Sequence, residues 1–349
     1  MDQEENNKLL HMYTKTDICQ TMIRCFVIFI LFSSCDTKTV DKDTDDSNLI
    51  RFQLEGESNL ETQQIYLSKV RSMSVTNGNL VFIDRYEDRF LSLDTSTLGL
   101  GFMFNKSGEG PSELLEPVQL YADNNSMYIF NQSPPQLSEL VLNGNINRIR
   151  LPQDDFPYGH ASERFLMDQG GVIISNHSNG YPFTRFELGN SKNSESLSKS
   201  LPCRFSNLHC DEKYIYSICK TRPYIDVFDK KSYAHIRSFD FSENYLFKNN
   251  LKMEKEMGLE PNGNAMMIHV KDSYYNDNRL FLLANDHTRH GISDVVMIFD
   301  IQNGDVSFSK FGLLFSGYSY STICANQNYL YTYNDNKSKI QKYSFAELN

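Results

Sequence analysis

NLVFIDRYEDRFLSLD, residues 79–94, holds two runs of strand-forming residues separated by the polar tetrapeptide RYED. Such a pattern reads as a β-hairpin. The first run recurs along the chain: SMYIFN (126–131), GVIISN (171–176), KYIYSIC (213–219), RLFLLAN (279–285) and NYLYTYN (328–334). A polar turn precedes each, and Asn or Asp closes most of them. The first apolar residues, Leu80, Met127, Val172, Tyr214, Leu280 and Tyr329, lie 47, 45, 42, 66 and 49 residues apart. An apolar stretch comes before the recurring run, as in VRSMSV (70–75) and VQLYA (118–122). Another follows it, as in QLSELVL (136–142), TRFEL (184–188), YIDVFD (224–229), DVVMIFD (294–300) and KIQKYSF (339–345). A fourth is frequent: GFMF (101–104), INRIRL (146–151), IRSFDF (236–241) and VSFSKF (306–311). Four short strands per unit of forty-odd residues is the unit of a β-propeller, and six units make six blades.

The 66-residue gap contains ENYLFKNNLKMEKEMG (243–258). Leu246, Phe247, Leu251 and Met257 fall on a helical stripe, with Ser242 as a start signal and Gly258 as a stop. This reads as a helical insertion between blades four and five. The sixth unit has only three strands, and LIRFQLEG (49–56) is a strand without a hairpin partner. Residues 49–55 are therefore expected to supply the outer strand of the last blade and close the ring, which removes an exposed edge. SKNSESLSKS (191–200) reads as a low-complexity loop.

The first 48 residues have a different character. FVIFILF (26–32) is an apolar run behind Arg24, too short for the ~20 residues that span a bilayer. With Ser33 and Ser34 after it, it has the form of a secretory signal. Residues 1–35 are assigned to that signal, with Met12 and Met22 as alternative starts. FSSC (32–35) resembles a bacterial lipobox, which implies lipidation of Cys35; Phe32 stands where Leu is usual. Residues 36–48, DTKTVDKDTDDSN, have little to bury and read as an acidic tether. Asp41, Asp43 and Asp45 imitate a calcium loop, but Asp46 and Phe52 occupy its Gly and Glu positions, so an EF-hand is rejected. The propeller is assigned to 49–349.

GEGPSE (108–113) is the stretch most like a phosphate loop. Glu113 stands where a dinucleotide fold needs its third Gly, no Gly-Lys-Ser/Thr follows, and the surroundings are all β. It reads as a turn between blades one and two. KSGEGPSELLEPVQLYADNNSMYIFNQ (106–132) resembles the TolB-like six-bladed propeller lipoproteins of the Bacteroidetes type, themselves similar to NHL-type propellers. Those carry a G-x-G-P-x-E turn, a Pro, a short inner strand, an Asn/Asp turn and an aromatic second strand. The resemblance implies a lipoprotein of the bacterial outer membrane, surface-exposed or facing the periplasm. The acidic tract behind Cys35 is similar to a surface-export signal. No particular reaction is implied.

The chain has 349 residues, a net charge of −10 and no basic stripe, which argues against nucleic acid. In a propeller, the turns between second and third strands share one face with the blade-to-blade connections. Here that face carries His177, Arg222, His287, Arg289 and His290, with Tyr318 on a connection. Such a set suits a polar ligand: a glycan, a peptide or a partner protein. NDHTRHGIS (285–293) is the densest in His and Arg. Its HTRH spacing and His177 permit a zinc site, against which solvated loop histidines are the preferred reading. No GxSxG, HExxH or CxxC occurs, and no cofactor is expected. The leading expectation is a non-catalytic, membrane-anchored binding propeller. The alternatives are a propeller-class hydrolase or lyase and a structural envelope scaffold. Cys203 and Cys219 could meet across a hairpin as a disulfide; buried free thiols are the competing reading.

Overall fold

In a computed structural model, the described residues are 49–344, apart from 106–107, 109, 111–112, 115, 124–125, 132–135, 141–145, 151–162, 169–170, 176–182, 189–193, 198–202, 204, 260–265 and 316. The signal, Cys35 and the acidic tether lie outside them. Two short strands open the described chain: β1 (Leu49–Arg51) and β2 (Gln53–Glu57). Six sheets follow. Blade one is β3 (Val70–Thr76), β4 (Asn79–Asp84), β5 (Arg89–Asp94) and β6 (Leu100–Phe104). Blade two is β7 (Pro117–Ala122), β8 (Met127–Asn131), β9 (Gln136–Leu140) and β10 (Ile146–Arg150). Blade three is β11 (Leu166–Asp168), β12 (Gly171–Ser175), β13 (Phe183–Glu187) and β14 (Ser194–Leu197). Blade four is β15 (Ser206–Cys210), β16 (Tyr214–Cys219), β17 (Tyr224–Asp229) and β18 (His235–Asp240). Blade five is β19 (Val270–Asn276), β20 (Arg279–Asp286), β21 (Ile292–Gln302) and β22 (Asp305–Leu313). Blade six is β23 (Tyr320–Ala325), β24 (Tyr329–Asn334) and β25 (Lys339–Ser344), completed by β2. The fold is a six-bladed β-propeller.

Alternation along β4 shows why the repeated run is apolar throughout. Leu80 and Phe82 pack with Tyr331, Tyr333 and Ile340 of blade six. Val81 and Ile83, pointing the other way, pack with Leu120, Ile129 and Leu140 of blade two. Each central strand is buried on both faces by neighbouring blades, so it cannot show the polar-out alternation of a one-sided sheet. Blade five repeats this: Leu280, Leu282 and Ala284 join Ile218, Ile225 and Val227 of blade four, while Phe281 and Leu283 join Leu330 and Tyr343 of blade six.

Ring closure is divided between two blades, where one was expected. β2 pairs antiparallel with β25 from Gln53↔Ser344 to Glu57↔Gln341, and so is the outer strand of blade six. Residues 49–51 instead run parallel to β22 of blade five, with Leu49↔Phe311 and Arg51↔Leu313. Phe52 links the two. Its ring covers Gly312, where any Cβ would collide with it, and meets Tyr343 edge-on at 6.4 Å between centroids. Glu57 then holds Lys337 at 2.9 Å.

The insertion is a helix, α1 (Tyr245–Glu256), between blades four and five. Asn244, not Ser242, caps it, accepting from Leu246 N at 3.3 Å. Gly258, at φ +66°, ends it. Its buried face is Leu246, Phe247, Asn250 and Glu254. Leu251 is only partly covered and Met257 is exposed, because this helix docks through polar as well as apolar contacts. Asn250 Nδ2 donates to Asn285 O at 2.7 Å, and Asn250 Oδ1 accepts from His287 N at 3.0 Å. A second correction concerns SKNSESLSKS, which supplies β14, the outer strand of blade three. An outer strand needs only one covered edge, and polar residues satisfy that.

GEGPSE is a turn folded around its own carboxylate. Gly110 N donates to Glu113 Oε2 at 2.7 Å, and Gly108 N to Leu114 O at 2.9 Å. Gly108 has φ +145°, and a Cβ there would collide with the Glu113 carboxylate. The place a phosphate would take is filled by Glu113.

Cys203 and Cys219 are joined by a disulfide with Cα atoms 5.8 Å apart. Cys210 and Cys324 are free. Closing a loop of this length removes roughly 3 kcal/mol of chain entropy from the unfolded state. Cys203→Ser/Cys219→Ser should therefore unfold at lower denaturant than the parent by about that amount. Equal midpoints, measured with the parent oxidised, would show that the bond contributes nothing.

Candidate functional site

In blades one, four and five a side chain at or next to the end of the second strand clasps the chain that enters the blade. Asp84, fully buried, accepts from Ser68 N (3.2 Å), Lys69 N (2.9 Å) and Arg89 (2.7 Å). In blade six, Asn334 Oδ1 folds its own turn by accepting from Asn336 N and Lys337 N, each at 3.0 Å, and Asn336 Oδ1 accepts from Ser319 N of the entering chain at 2.7 Å. In blade five, Asn285 Nδ2 donates to Ile268 O at 2.6 Å. Blade four has Cys219 at this place, and the disulfide to Cys203 is its covalent clasp. These clasps hold the upper face, the face of the second-to-third-strand turns.

The inner strands are irregular where they face the axis. Ser72 and Met73 together oppose Phe82, so β3 bulges, with Ser72 at φ +52°. β7, β19 and β23 shift register in their first halves too. Bulges turn residues out of the pleat and free backbone groups. Arg164, just before β11, uses those groups. Its guanidinium makes two bonds to Asp272 of β19, at 2.8 and 2.7 Å, and donates to Met73 O (3.1 Å) and Ile323 O (2.9 Å). Arg164 N donates to Asn207 Oδ1 at 3.1 Å. Asp272 also accepts from Thr322 Oγ1 at 2.5 Å and Ile323 N at 3.0 Å. Blades one, three, four, five and six thus meet at one buried ion pair. Arg164 and these donors hold the Asp272 carboxyl below the ordinary range although burial pushes it up.

Above this pair, on the upper face, is a polar mouth. Lys69 and Lys271 reach Asp335 at 3.4 and 3.5 Å. Lys220 meets Glu163 at 2.8 Å. Lys271 Nζ also donates to Ser293 (3.3 Å) and Ser319 (3.2 Å). Arg71 of β3 joins them, within electrostatic reach of Arg85, Glu163 and Tyr86. Lys69, Lys220 and Lys271 thus gather with Arg71 around Glu163 and Asp335. Burial and then Arg85 hold Arg71 below the usual guanidinium value, and burial lowers Lys271 despite Asp335. Below the pair, a cavity of about 150 Å³ lies among the C-terminal halves of inner strands, lined by Ser74, Tyr121, His209, Cys210 and Tyr274.

The loop residues singled out from sequence have structural partners. Arg289 is held by Asp286 at 2.6 Å and by both oxygens of Asp294, at 3.0 and 2.5 Å. Asp294 also accepts from Gly317 N, next to Tyr318. Tyr318 is partly buried, its ring 5.4 Å from Lys337 Nζ. His287 shares a hydrogen bond with Ile268 O at 3.0 Å and packs on His269 at 5.5 Å. His290 is exposed, at φ +60°. Arg222 lies within electrostatic reach of Glu254 of α1 and of His269, which are 3.4 Å apart. Arg222 and His287 thus meet around His269 and Glu254, apart from Arg289, His290 and Tyr318, and no group of three metal-ligating side chains occurs among the described residues. His177 lies outside them. No helix among them is long and apolar enough to cross a membrane.

Sequence reading missed Lys69, Arg71, Arg164 and Lys271. The signal was present as charges inside otherwise strand-like runs: Arg71 in VRSMSV, and Lys271 and Asp272 in VKDSYY (270–275).

No protein-family model matches the chain, and no curated sequence does. Among solved structures it is similar to a member of the DUF4221 family from Bacteroides vulgatus, with a TM-score of 0.54 and 12% identity over 84% of this chain and 97% of that one. It is also similar to a catalytically inactive virginiamycin B lyase from Staphylococcus aureus with quinupristin, with a TM-score of 0.50 and 10% identity over 84% and 100% of the two chains. At such identities the likeness is one of fold alone, a β-propeller.

Two outcomes follow from the axis. Arg164→Leu leaves the Asp272 charge buried without its partner and should cost about 3–5 kcal/mol; Arg164→Leu/Asp272→Leu should recover much of that in denaturant melts. Burial, with Arg164's charge for His209 and those of His287 and Arg222 for His269, pushes both histidines down to about 3. Both therefore stay neutral in the fold but take protons in the unfolded chain near pH 6.5. Their stabilisation is complete above that pH and declines as pH falls toward 3, by roughly 3 kcal/mol for the two between pH 6.5 and 5. His209→Gln/His269→Gln should flatten the stability–pH slope in that window; an unchanged slope would refute the assignment.

Proposed function

We propose that this chain is a lipid-anchored envelope propeller that binds a ligand at the upper mouth of its axis. The observation that carries the binding reading is the mouth itself. Charged and hydroxyl side chains from five blades converge there, above an ion pair that blocks the axis. Rigid scaffolds concentrate binding groups at such loop faces. The anchoring rests on FSSC and the tether behind it, and on the resemblance to TolB-like lipoproteins; a glycan, a peptide or a partner protein are the ligand classes this face suits.

Both parts can be tested. In its native bacterium or a Gram-negative host, Cys35→Ala should move the protein from membrane to soluble fractions; unchanged fractionation refutes the anchor. For the face, glycan and peptide arrays probed with the protein identify a ligand. Arg85→Ala/Tyr86→Ala on the upper face should then weaken it about tenfold or more. The lower-face double Lys213→Ala/Lys231→Ala, both exposed, should leave it intact. The reverse pattern would place the working surface on the other face.

A further inference from the structure

Arg71 stands apart from the other cations of the mouth. Lys69, Lys220 and Lys271 each have a carboxylate within 4 Å. Arg164 and Arg289 are doubly bonded to theirs. Among the described residues the Arg71 side chain makes no hydrogen bond or ion pair, yet it is partly buried and feels Arg85 as a like charge. A guanidinium left in that position costs stability, since desolvation is not offset by a partner. It has five N–H donors in a fixed fork that matches a carboxylate or sulfate in two parallel bonds. The bulge at Ser72–Met73 brings it into the mouth, where it feels Glu163 of blade three and Asp272 of blade five. Tyr86 is beside it, 73% exposed. Ser319 and Ser293, bonded to Lys271, add hydroxyls.

We infer that the mouth binds an acidic saccharide, with the Arg71 guanidinium taking its carboxylate or sulfate. This rests on the upper-face reading above. The chemistry fits in three respects. Arg71 has no hydrogen-bonded or ion-paired anion among the described residues, in a protein of net charge −10. An exposed tyrosine next to a cation offers a flat apolar face to a sugar ring while the charge engages the acid. Serine and lysine donors suit ring hydroxyls. An acidic peptide shares the charge, but a polyacidic one carries no ring to lie on the Tyr86 face beside that cation.

The test is calorimetric titration of the soluble chain with trigalacturonate, a neutral galactose trisaccharide, a sulfated disaccharide and tetraglutamate. The variants are Arg71→Gln and, as a charge-matched control on exposed β18, Arg237→Gln. Binding of the uronate or the sulfated sugar, with no binding of the neutral one, is expected; which acid binds tells carboxylate from sulfate. Arg71→Gln should lose about tenfold to a hundredfold in affinity, Arg237→Gln nothing, and added salt should weaken the parent. The unliganded Arg71→Gln protein should melt at or above the parent temperature, because no bond is lost and a desolvated charge is removed. Binding within twofold of the parent in Arg71→Gln, tighter binding of tetraglutamate or the neutral sugar, no binding by any probe, or a clearly lowered melting temperature would each overturn the inference. A neutral ligand lost on Arg85→Ala/Tyr86→Ala but indifferent to Arg71 would overturn it while leaving the upper-face reading in place. A ligand lost only in the lower-face double would overturn that reading itself.

Discussion

The buried pair of Arg164 and Asp272 is the constraint around which the ring is organised. A propeller's blades pack face to face through apolar clusters, which are non-directional. Nothing in such packing says how far each inner strand reaches toward the axis. One guanidinium bonded to Asp272, Met73 O and Ile323 O does. It supplies directional bonds to three blades besides its own, and Asn207 adds a fourth through the Arg164 backbone. Such a pair contributes little net stability over an apolar core of equal shape, but removing either half is costly. Its role is geometric: it sets the floor of the mouth.

The bulges follow from the same demand. An inner strand is the edge of its sheet, and a regular one turns only alternate backbone groups toward the axis. Where β3, β19 and β23 lose register, carbonyls and amides become available, and Arg164 and Asp272 take them. Ser72, at a positive φ, is part of this arrangement; its hydroxyl accepts from Leu120 N and donates to Leu120 O of blade two, at 2.8 and 2.9 Å. Blade two is thereby tied in as well. The irregular backbone that holds the ring also carries Arg71 and Lys271 into the mouth, so closure and site share one cause.

The GEGPSE turn and the blade-four disulfide illustrate one chemical need met in different ways. Chain entering a blade must be fastened to the turn above it. Asp84 does this with a carboxylate, Asn336 and Asn285 with amides, and Cys219 with a covalent bond. Glu113 folds the connection between blades one and two around itself. Polar signatures that look like ligand sites in a linear reading can therefore be internal fastenings, as Arg289 and His287 also are.

Strand number, blade count, the helix between blades four and five, and an N-terminal strand completing the last blade were all legible in the sequence. Each rests on local periodicity: unbroken apolar runs such as NLVFID arise because both faces of a central strand are covered. The division of that N-terminal segment between blades five and six was not legible, since Phe52 and Gly312 meet only after the ring closes. The dock of α1 on Asn250 and Glu254 escaped for a similar reason, because an apolar stripe predicts burial only where the partner surface is apolar. The loop histidines and arginine were visible, but not the carboxylates Asp286 and Asp294 that hold Arg289. Spacing in sequence does not tell a bonded charge from an unbonded one. Arg71 reads as an ordinary strand residue until five blades are placed around it; what distinguishes it is the lack of a partner, and that is a property of three-dimensional neighbours alone.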